Sequence, residues 1–349
     1  MSRVTVHLIV RNGKKYIRHC LDSLKTQTFK DFGVLIFDNN SDDQTKTIIE
    51  NEYPEFLLYK SPENFGAWPG FSRSLSLSDS KYDIFLSTDV IWDANFLKES
   101  IKTMESDPKI GVAQGKMLQW NFGDNGEVIK TDTIDSLGFK IFKSRRLINH
   151  EHGVKDTGQY DINGEEIFAA EGACTIFRRE ALEQSRTCAY KYEFLKKQYC
   201  ELADESFFWY SDDIDLTWRM RLFGWKNFLI PKAVMWHDRS TTKGLKKTWT
   251  DYFKRIKIRQ QIPIKKRRLD WRNTHFAIIK NDFRINLLKD LPYILKRELL
   301  VLGYTVLFEP QVLLEIPKLL KLIPEMLQKR KEIMKRAKIK PEEIRKWFK

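Results

Sequence analysis

The sequence predicts an α/β protein, a doubly wound and mainly parallel sheet followed by a basic α-helical C-terminal region. Its strand-like runs are continuously apolar rather than alternating, as in strands covered on both faces. Between them lie stretches with apolar residues at 3.6-residue spacing, so strand and helix alternate. The charge is also divided: residues 1–242 hold 32 Lys and Arg against 36 Asp and Glu, while residues 243–349 hold 29 against 11. The net charge of +14 therefore belongs to the tail.

A chain of 349 residues with 42% hydrophobic and 13% aromatic content can bury one large core plus an appendage, or two domains. Cys20, Cys174, Cys188 and Cys200 lack C-x-x-C spacing, and residues 1–12 show no charged start followed by an apolar run, so a reducing cytosol and no leader are expected. The longest nearly unbroken apolar run, 299–308, is closed by Glu309-Pro310 and is too short to span a bilayer, so no transmembrane helix is predicted.

Residues 4–10 form a β-rich run that stops at Arg11-Asn12-Gly13, and Tyr16, Ile17, Cys20, Leu21 and Leu24 then mark one face of a helix. Residues 32–37 read as the second strand, ending in D-N-N-S-D-D (38–43), where Ser41 is placed to cap a helix through Ile48 and Ile49. Strands follow at 56–59, 82–86 and 110–113, with helices at 71–77 and 95–104. Ligands of such sheets bind beyond the carboxyl ends of the strands. Polar residues gather there: Arg11 and Asn12, then Asp38 to Asp43, then Asn64 and Gly66, then Ser87-Thr88-Asp89. No G-x-G-x-x-G follows the first strand and no Walker loop occurs, which speaks against a dinucleotide or P-loop site.

Residues 120–167 are rich in Asp, Gly and Asn and read as a hairpin-bearing excursion. Glu171-Gly172-Ala173 opens a new element whose small residues permit close backbone approach or simply tight packing. In S-D-D-I-D-L-T-W-R (211–219), Asp212, Asp213 and Asp215 start a helix, with Ser211 as N-cap and Leu216, Met220 and Phe223 on its buried face. Ordinary dipole capping accounts for such acids. The preceding Phe207-Phe208-Trp209-Tyr210 is an aromatic wall that can raise a carboxylate toward a usable base, and a strand at 232–237 brings Trp236-His237-Asp238 to its end.

From residue 243 the composition changes. Residues 243–284 hold fourteen Lys and Arg against three acids, and leucine clusters beyond them are interrupted by Pro292, Pro310, Pro317 and Pro324, predicting short basic amphipathic helices. These suit an anionic membrane surface; packing on the rest of the chain or on a second copy, as a homodimer, is the alternative.

V-R-N-G-K-K-Y-I (10–17), D-N-N-S-D-D (38–43), E-N-F-G (63–66), S-T-D-V (87–90), D-S-L-G (135–138), G-Q-Y-D (158–161), E-G-A-C-T-I-F-R-R-E-A-L (171–182), D-D-I-D-L-T-W-R (212–219), G-W (224–225) and the late His237 occur in this order. Together they resemble the family 2 glycosyltransferases of the GT-A fold, especially the rhamnosyltransferase-like branch, over about residues 4–242. The resemblance implies a GT-A catalytic domain at 1–242, with a nucleotide-sugar half (1–118) and an acceptor half (119–242), ahead of the tail at 243–349. It implies a donor site of Val10, Arg11, Asn12, Asp38 on the nucleotide base, Asn40, Asn64, Gly66, Thr88 and Asp89. Asp89 and His237 would hold Mg2+ or Mn2+, Asp213 would be the general base with Asp212 beside it, and Glu171, Gly172, Ala173 and Trp209 would meet the acceptor. Two departures stand out: Ser87 replaces the first acid of the family's D-x-D pattern, and Asp212-Asp213 replaces a Glu-Asp pair.

The activity so implied is inverting transfer of a sugar, rhamnose among the candidates, from a nucleoside-diphosphate sugar to a glycan or lipid-linked acceptor in cell-surface polysaccharide synthesis, at the cytoplasmic face of the plasma membrane. A non-catalytic RNA- or polyanion-binding protein is the competing reading, carried by the basic, aromatic-interleaved tail. Carboxylates concentrated at strand ends repel phosphate unless a metal intervenes, so no nucleic-acid partner is expected. Trp68, Trp92, Trp120 and Trp209 are candidates to stack on sugar, although tryptophans are more often core.

Overall fold

β1 (Val4–Val10) is buried along its whole length, and the first part of the chain is built outward from it. The computed structural model describes residues 2–161, 164–192, 197–239 and 251–349; the boundary expected at 242–243 lies outside them. From β1 the chain runs through α1 (Ile17–Lys25), β2 (Phe32–Asp38), α2 (Thr45–Glu52), β3 (Leu57–Lys60), α3 (Ala67–Ser74), β4 (Tyr82–Ser87), β5 (Val90–Trp92), α4 (Phe96–Ser106), β6 (Ile110–Phe122) and β7 (Val128–Ser136). Short β8 (Phe139–Ile141), β9 (Leu147–Asn149) and β10 (Glu165–Glu166) precede β11 (Cys174–Arg178), α5 (Arg179–Gln184), the β12 (Thr187–Tyr192) and β13 (Lys197–Glu201) hairpin, α6 (Asp212–Leu222) and β14 (Lys226–His237). Helices α7 (Asp251–Gln261), α8 (Ile264–Asn281), α9 (Arg284–Lys289), α10 (Leu291–Phe308), α11 (Ile316–Arg336) and α12 (Pro341–Arg345) complete it.

Two compact units result. One comprises Met1–Phe139, Asn149–Gln184 and Trp225–Arg239; the other comprises Lys140–Ile148, Ser185–Gly224 and Ser240–Lys349. Residues 185–224, which the motif order groups with the sheet, thus cluster with the C-terminal helices.

The first unit holds one mixed sheet in the order β10-β14-β6-β11-β4-β1-β2-β3, with β5 on β14 and β7 on β6. It is parallel from β4 through β1 and β2 to β3, and again between β14 and β6; β11 enters antiparallel between β4 and β6. The β6–β7 hairpin is the excursion expected within 120–167. Trp68, Trp92 and Trp120 are core residues, and of the four candidates only Trp209 is exposed. Ser74 Oγ, His7 and Asp83 form a Ser-His-Asp chain (2.9 Å each), yet all three are fully enclosed and Arg179 (2.6 Å) occupies the same Asp83 oxygen that His7 meets, so the network braces β1 against β4.

The second unit is tied by buried ion pairs. Asp215 accepts from Arg219 (2.8 Å), Lys280 (2.8 Å) and Asn281 (2.7 Å), while Asp204 accepts from Lys280 and Lys329, each at 2.8 Å. These bonds fasten residues 204–222 to α8 and α11. Cys188 and Cys200 face each other across the β12–β13 hairpin and are joined by a disulfide, whereas Cys20 and Cys174 are free and buried. That pair departs from the all-thiol state expected of a reducing compartment. Pro292, Pro310 and Pro317 sit in the first turns of their helices, where no intrahelical N–H is needed. Pro324 does not break its helix as expected: α11 runs through it for 21 residues, held on α8 and anchored by buried Met326 and Ile333.

Candidate active site

Four strands of the first unit end in register: Val10 pairs with Asp38, Asp38 with Lys60, and Ile9 with Ser87. The residues expected at a donor site therefore share one edge of the sheet. Each of three loops turns through a left-handed residue, Asn12 (φ 53°), Asn40 (φ 61°) and Gly66 (φ 93°), which asparagine tolerates and glycine adopts freely. The loops are laced together. Asn12 N–H donates to Ser41 Oγ (2.9 Å) and Asn12 Oδ1 accepts from the Asp42 N–H (3.0 Å). Asn39 donates to the Gly66 carbonyl (2.8 Å) and accepts from the Phe65 N–H (2.9 Å). Ser41, expected to cap a helix, is used for this lacing instead, and α2 begins only at Thr45.

Asp38 is fully buried; its Oδ2 accepts from the Ser41 N–H (3.1 Å), while Oδ1 has no hydrogen-bond partner. Asn64 shapes its own turn by accepting from the Gly66 N–H (3.0 Å), and Arg11 lies 3.7 Å from Asp42. Val10 and Thr88 crowd the space beside Gly13: a Cβ there would meet Val10 Cγ2 at 2.6 Å and Thr88 Cγ2 at 3.3 Å.

At the end of β14, His237 is brought to Asp89, its Nε2 lying 3.4 Å from Asp89 Oδ2. On its other side His237 Nδ1 donates to Asp135 Oδ2 (2.8 Å). Burial alone would lower the imidazole, but Asp89 and Asp135 outweigh it and push His237 up to about 10. Burial would likewise raise Asp89, yet His237 and the Ser87 hydroxyl hold its carboxyl below the ordinary range. The loop is fixed through the Asp89 carbonyl, which accepts from Trp120 Nε1 (2.9 Å) and the Asp238 N–H (3.0 Å), and the Tyr16 hydroxyl donates to Asp238 (3.0 Å).

Behind this pair, Arg239 bridges Asp135 Oδ1 and Glu171 Oε1, each at 2.8 Å. Asp135, Glu171 and His237 lie close enough together to suggest a metal cluster, but the Arg239 guanidinium already supplies the cation between the two carboxylates. Glu171 is thus a buried brace, its N–H donating to Gln114 (2.6 Å), with Gly172 and Ala173 following it into β11. Neither Asp135 nor Arg239 is among the site residues expected from sequence. Asp135 stands in the D-S-L-G stretch, and that motif is the only trace of it.

The acids of α6 belong to the second unit. Ser211 occupies the N-cap position in the left-handed region (φ 61°) and makes no side-chain cap bond; its Oγ meets Thr274 Oγ1 at 3.3 Å instead. Phe208 (φ 64°) and Tyr210 (φ 72°) are also left-handed. Asn273 Nδ2 holds this segment by donating to the carbonyls of Phe207 (3.0 Å), Trp209 (2.8 Å) and Tyr210 (3.0 Å). Asp212 is buried with neither oxygen hydrogen-bonded, and burial, reinforced by Asp213 and Asp215, raises its carboxyl well above the ordinary value. Asp213 is half-buried and accepts from the Ile214 N–H (2.8 Å). Asp215 is consumed by its ion pairs. Of the three acids, Asp213 has the exposure a proton acceptor needs.

The family model described as "Glycosyl transferase family 2" matches residues 5–186, more than half of the chain. The chain belongs to glycosyl transferase family 2. An uncharacterised glycosyltransferase of Rickettsia prowazekii is 28% identical to this family 2 chain over 101 residues, 29% of this chain and 31% of that protein. The matches span about a third to a half the length of the first curated relatives. Among solved structures, GalNAc-T7 with UDP, GalNAc and Mn2+ superposes with a TM-score of 0.57 at 12% identity, covering 80% of this chain and 48% of that one. S. aureus TarS 1-349 in complex with UDP-GlcNAc superposes with a TM-score of 0.51 at 15% identity, covering 99% and 92%. At these identities the likeness establishes the fold, which is GT-A.

Proposed function

We propose that the protein is an inverting, metal-dependent glycosyltransferase that moves a sugar from a nucleoside diphosphate to a hydroxyl of a glycan or lipid-linked acceptor. The pairing of Asp89 with His237 at the strand ends carries this reading. With Nδ1–H given to Asp135, His237 faces Asp89 through Nε2, whose proton a divalent ion would displace, the arrangement by which a carboxylate orients a metal-ligating imidazole. Two ligands of one divalent ion stand roughly 3 Å apart when each bond is about 2.1 Å, so the separation fits. When bound, the ion neutralises charge on the leaving diphosphate. A nitrogen ligand suits Mn2+ better than Mg2+, which prefers an all-oxygen shell.

The donor loops would hold the nucleotide, with Asp38 Oδ1 as acceptor for the base. UDP is the first nucleotide to test, since one of the solved structures above carries UDP and the other UDP-GlcNAc; rhamnose is one candidate sugar. The acceptor oxygen attacks the anomeric carbon, the carbon–oxygen bond to diphosphate breaks, and Asp213 takes the hydroxyl proton, so one displacement inverts the centre. Acceptors built on a lipid place the reaction at the cytoplasmic face of the plasma membrane, with the basic tail against it. The polyanion-binding alternative draws on the same basic tail, but carboxylates gathered at the strand ends repel phosphate unless a metal intervenes.

Calorimetry with UDP and Mn2+ tests the reading. Wild type binds, EDTA abolishes the binding, and Asp89→Ala and His237→Ala lose the metal-dependent part while still folded. Metal-dependent affinity unchanged in both variants removes them from the site and the reading with them.

A further inference from the structure

We propose that α10 inserts into one leaflet of a lipid bilayer and that the cavity beside it holds the phosphate of an anionic lipid headgroup. This deepens the membrane-surface part of the reading above and is independent of sugar transfer.

The helix is apolar on two sides and covered on neither. Leu295 (52% exposed), Leu299 (69%), Leu302 (49%) and Val306 (52%) form one stripe, while Tyr293 (54%), Leu300 (67%) and Leu307 (74%) form another, roughly 140° away at about 100° per residue. Thr305 is its only buried residue. A second copy of the chain, or any flat protein partner, covers one such stripe. A fluid apolar phase wets both. Among the described residues no single helix is long and apolar enough to cross a membrane; α10 reaches that length and hydropathy only together with residues 310–336, from which it is bent by 113°, too sharply for one straight span. The geometry is therefore that of a helix lying in the interface.

Beside α10 lies a cavity of about 620 Å³ lined by Arg146, Arg259, His275, Lys296 and Arg297. Arg259 is paired with Glu309 (2.8 Å), and Arg297 with Glu298, which also meets His275 at 3.2 Å. Arg146 and Lys296 are exposed and have no carboxylate partner among the described residues. Asp270 also lines the cavity, and burial raises its carboxyl above the ordinary value, which lowers the negative charge facing a phosphate. A smaller apolar groove walled by Leu295, Leu299, Leu302 and Leu313 shares Trp271 and Thr305 with it. Cations and apolar wall thus meet on one helix, matching an amphiphile with an anionic head. The +18 net charge of residues 243–349 has the matching sign.

The test is sedimentation of the full chain, without nucleotide, with vesicles of phosphatidylcholine alone or mixed with phosphatidylglycerol. Wild type binds the mixed vesicles more tightly and keeps part of that binding at high salt, because apolar insertion is not screened. Leu299→Glu/Leu307→Glu, at exposed positions and with an unchanged melting temperature, loses at least about tenfold on both vesicle types. Arg146→Glu/Lys296→Glu loses the preference for phosphatidylglycerol and keeps the weaker binding to phosphatidylcholine. Inorganic phosphate leaves wild type on the vesicles; release by phosphate alone shows a free-anion site and overturns the lipid assignment. Equal binding by wild type and the double glutamate variant overturns the insertion. So does a vesicle-indifferent wild type whose dimer that variant dissociates, because the face then belongs to a second copy. Failure here leaves the donor chemistry standing, since no nucleotide is present.

Discussion

Asp212 and Asp213 are adjacent in sequence and opposite in circumstance. Asp212 is enclosed beside two other carboxylates, and its folded proton affinity is raised. The native state therefore holds a proton that the unfolded chain releases near 3.8, and stability falls as pH rises from there toward the folded value, by about 1.4 kcal/mol per unit. Asp212→Asn removes that dependence: it should melt above wild type at pH 7 and close to it at pH 4, read by differential scanning calorimetry, while keeping much of the transfer rate. Asp213→Asn should do the reverse, losing several orders of magnitude in kcat at unchanged stability and donor affinity, because only the proton acceptor is altered. A dead Asp212 variant beside an active Asp213 variant would reverse the assignment. His237 carries the opposite sign. Its folded value is raised, so its pairing with Asp89 and Asp135 contributes stability that is complete below 6.5 and disappears as pH climbs through about 10. In EDTA, wild type should lose more melting temperature between pH 7 and 10 than His237→Asn does.

At the scale of elements, the segment leading into α6 shows what a single side chain can hold. Three left-handed residues within four positions are costly, and Asn273 supplies hydrogen bonds to three of the carbonyls they turn inward. Asn273→Ala should cost about 1–3 kcal/mol and lower kcat more than donor affinity, measured by melting and by initial rates; an unchanged rate would show that the segment is only a connection. The strands β1, β2 and β4 are legible because local apolar runs report burial directly, while β3 carries an apolar run at an exposed sheet edge. β6 was read only to Ala113, since Gln114 and Lys116 look like a turn; both are buried, with Gln114 spent on the Glu171 N–H and Lys116 on Asp156 and Asp161. His237 ends a strand and Asp89 follows one, and the motif order rather than either position alone gives them their metal role. Asp135 and Arg239 could not be named, because their meaning lies in bonds to residues far along the chain. The Cys188–Cys200 pair was missed for the same reason: a hairpin register, not a spacing motif, brings the two together.

Across the whole molecule the charge divides near residue 242, whereas the buried bonds divide the chain elsewhere. Removing residues 243–349 takes Lys280 and Asn281 from Asp215, and Lys280 and Lys329 from Asp204, leaving Asp204 with no cation and Asp215 with Arg219 alone. The deletion also removes the α8 and α11 surfaces on which residues 204–222 are fastened, a loss to set against the roughly 5–15 kcal/mol that hold a domain together. The fragment 1–242 should therefore not retain the fold of residues 201–222, even though the sheet is complete without the tail's cations. Limited proteolysis should cut the fragment within 201–222 and spare that stretch in the full chain. Asp204→Asn/Asp215→Asn should raise the fragment's melting temperature and lower that of the full chain, because the same carboxylates are unpaired in one and paired in the other. A fragment that melts cooperatively within a few degrees of the full chain, with 201–222 protected, would show that the ion pairs decorate a unit the sheet already supports.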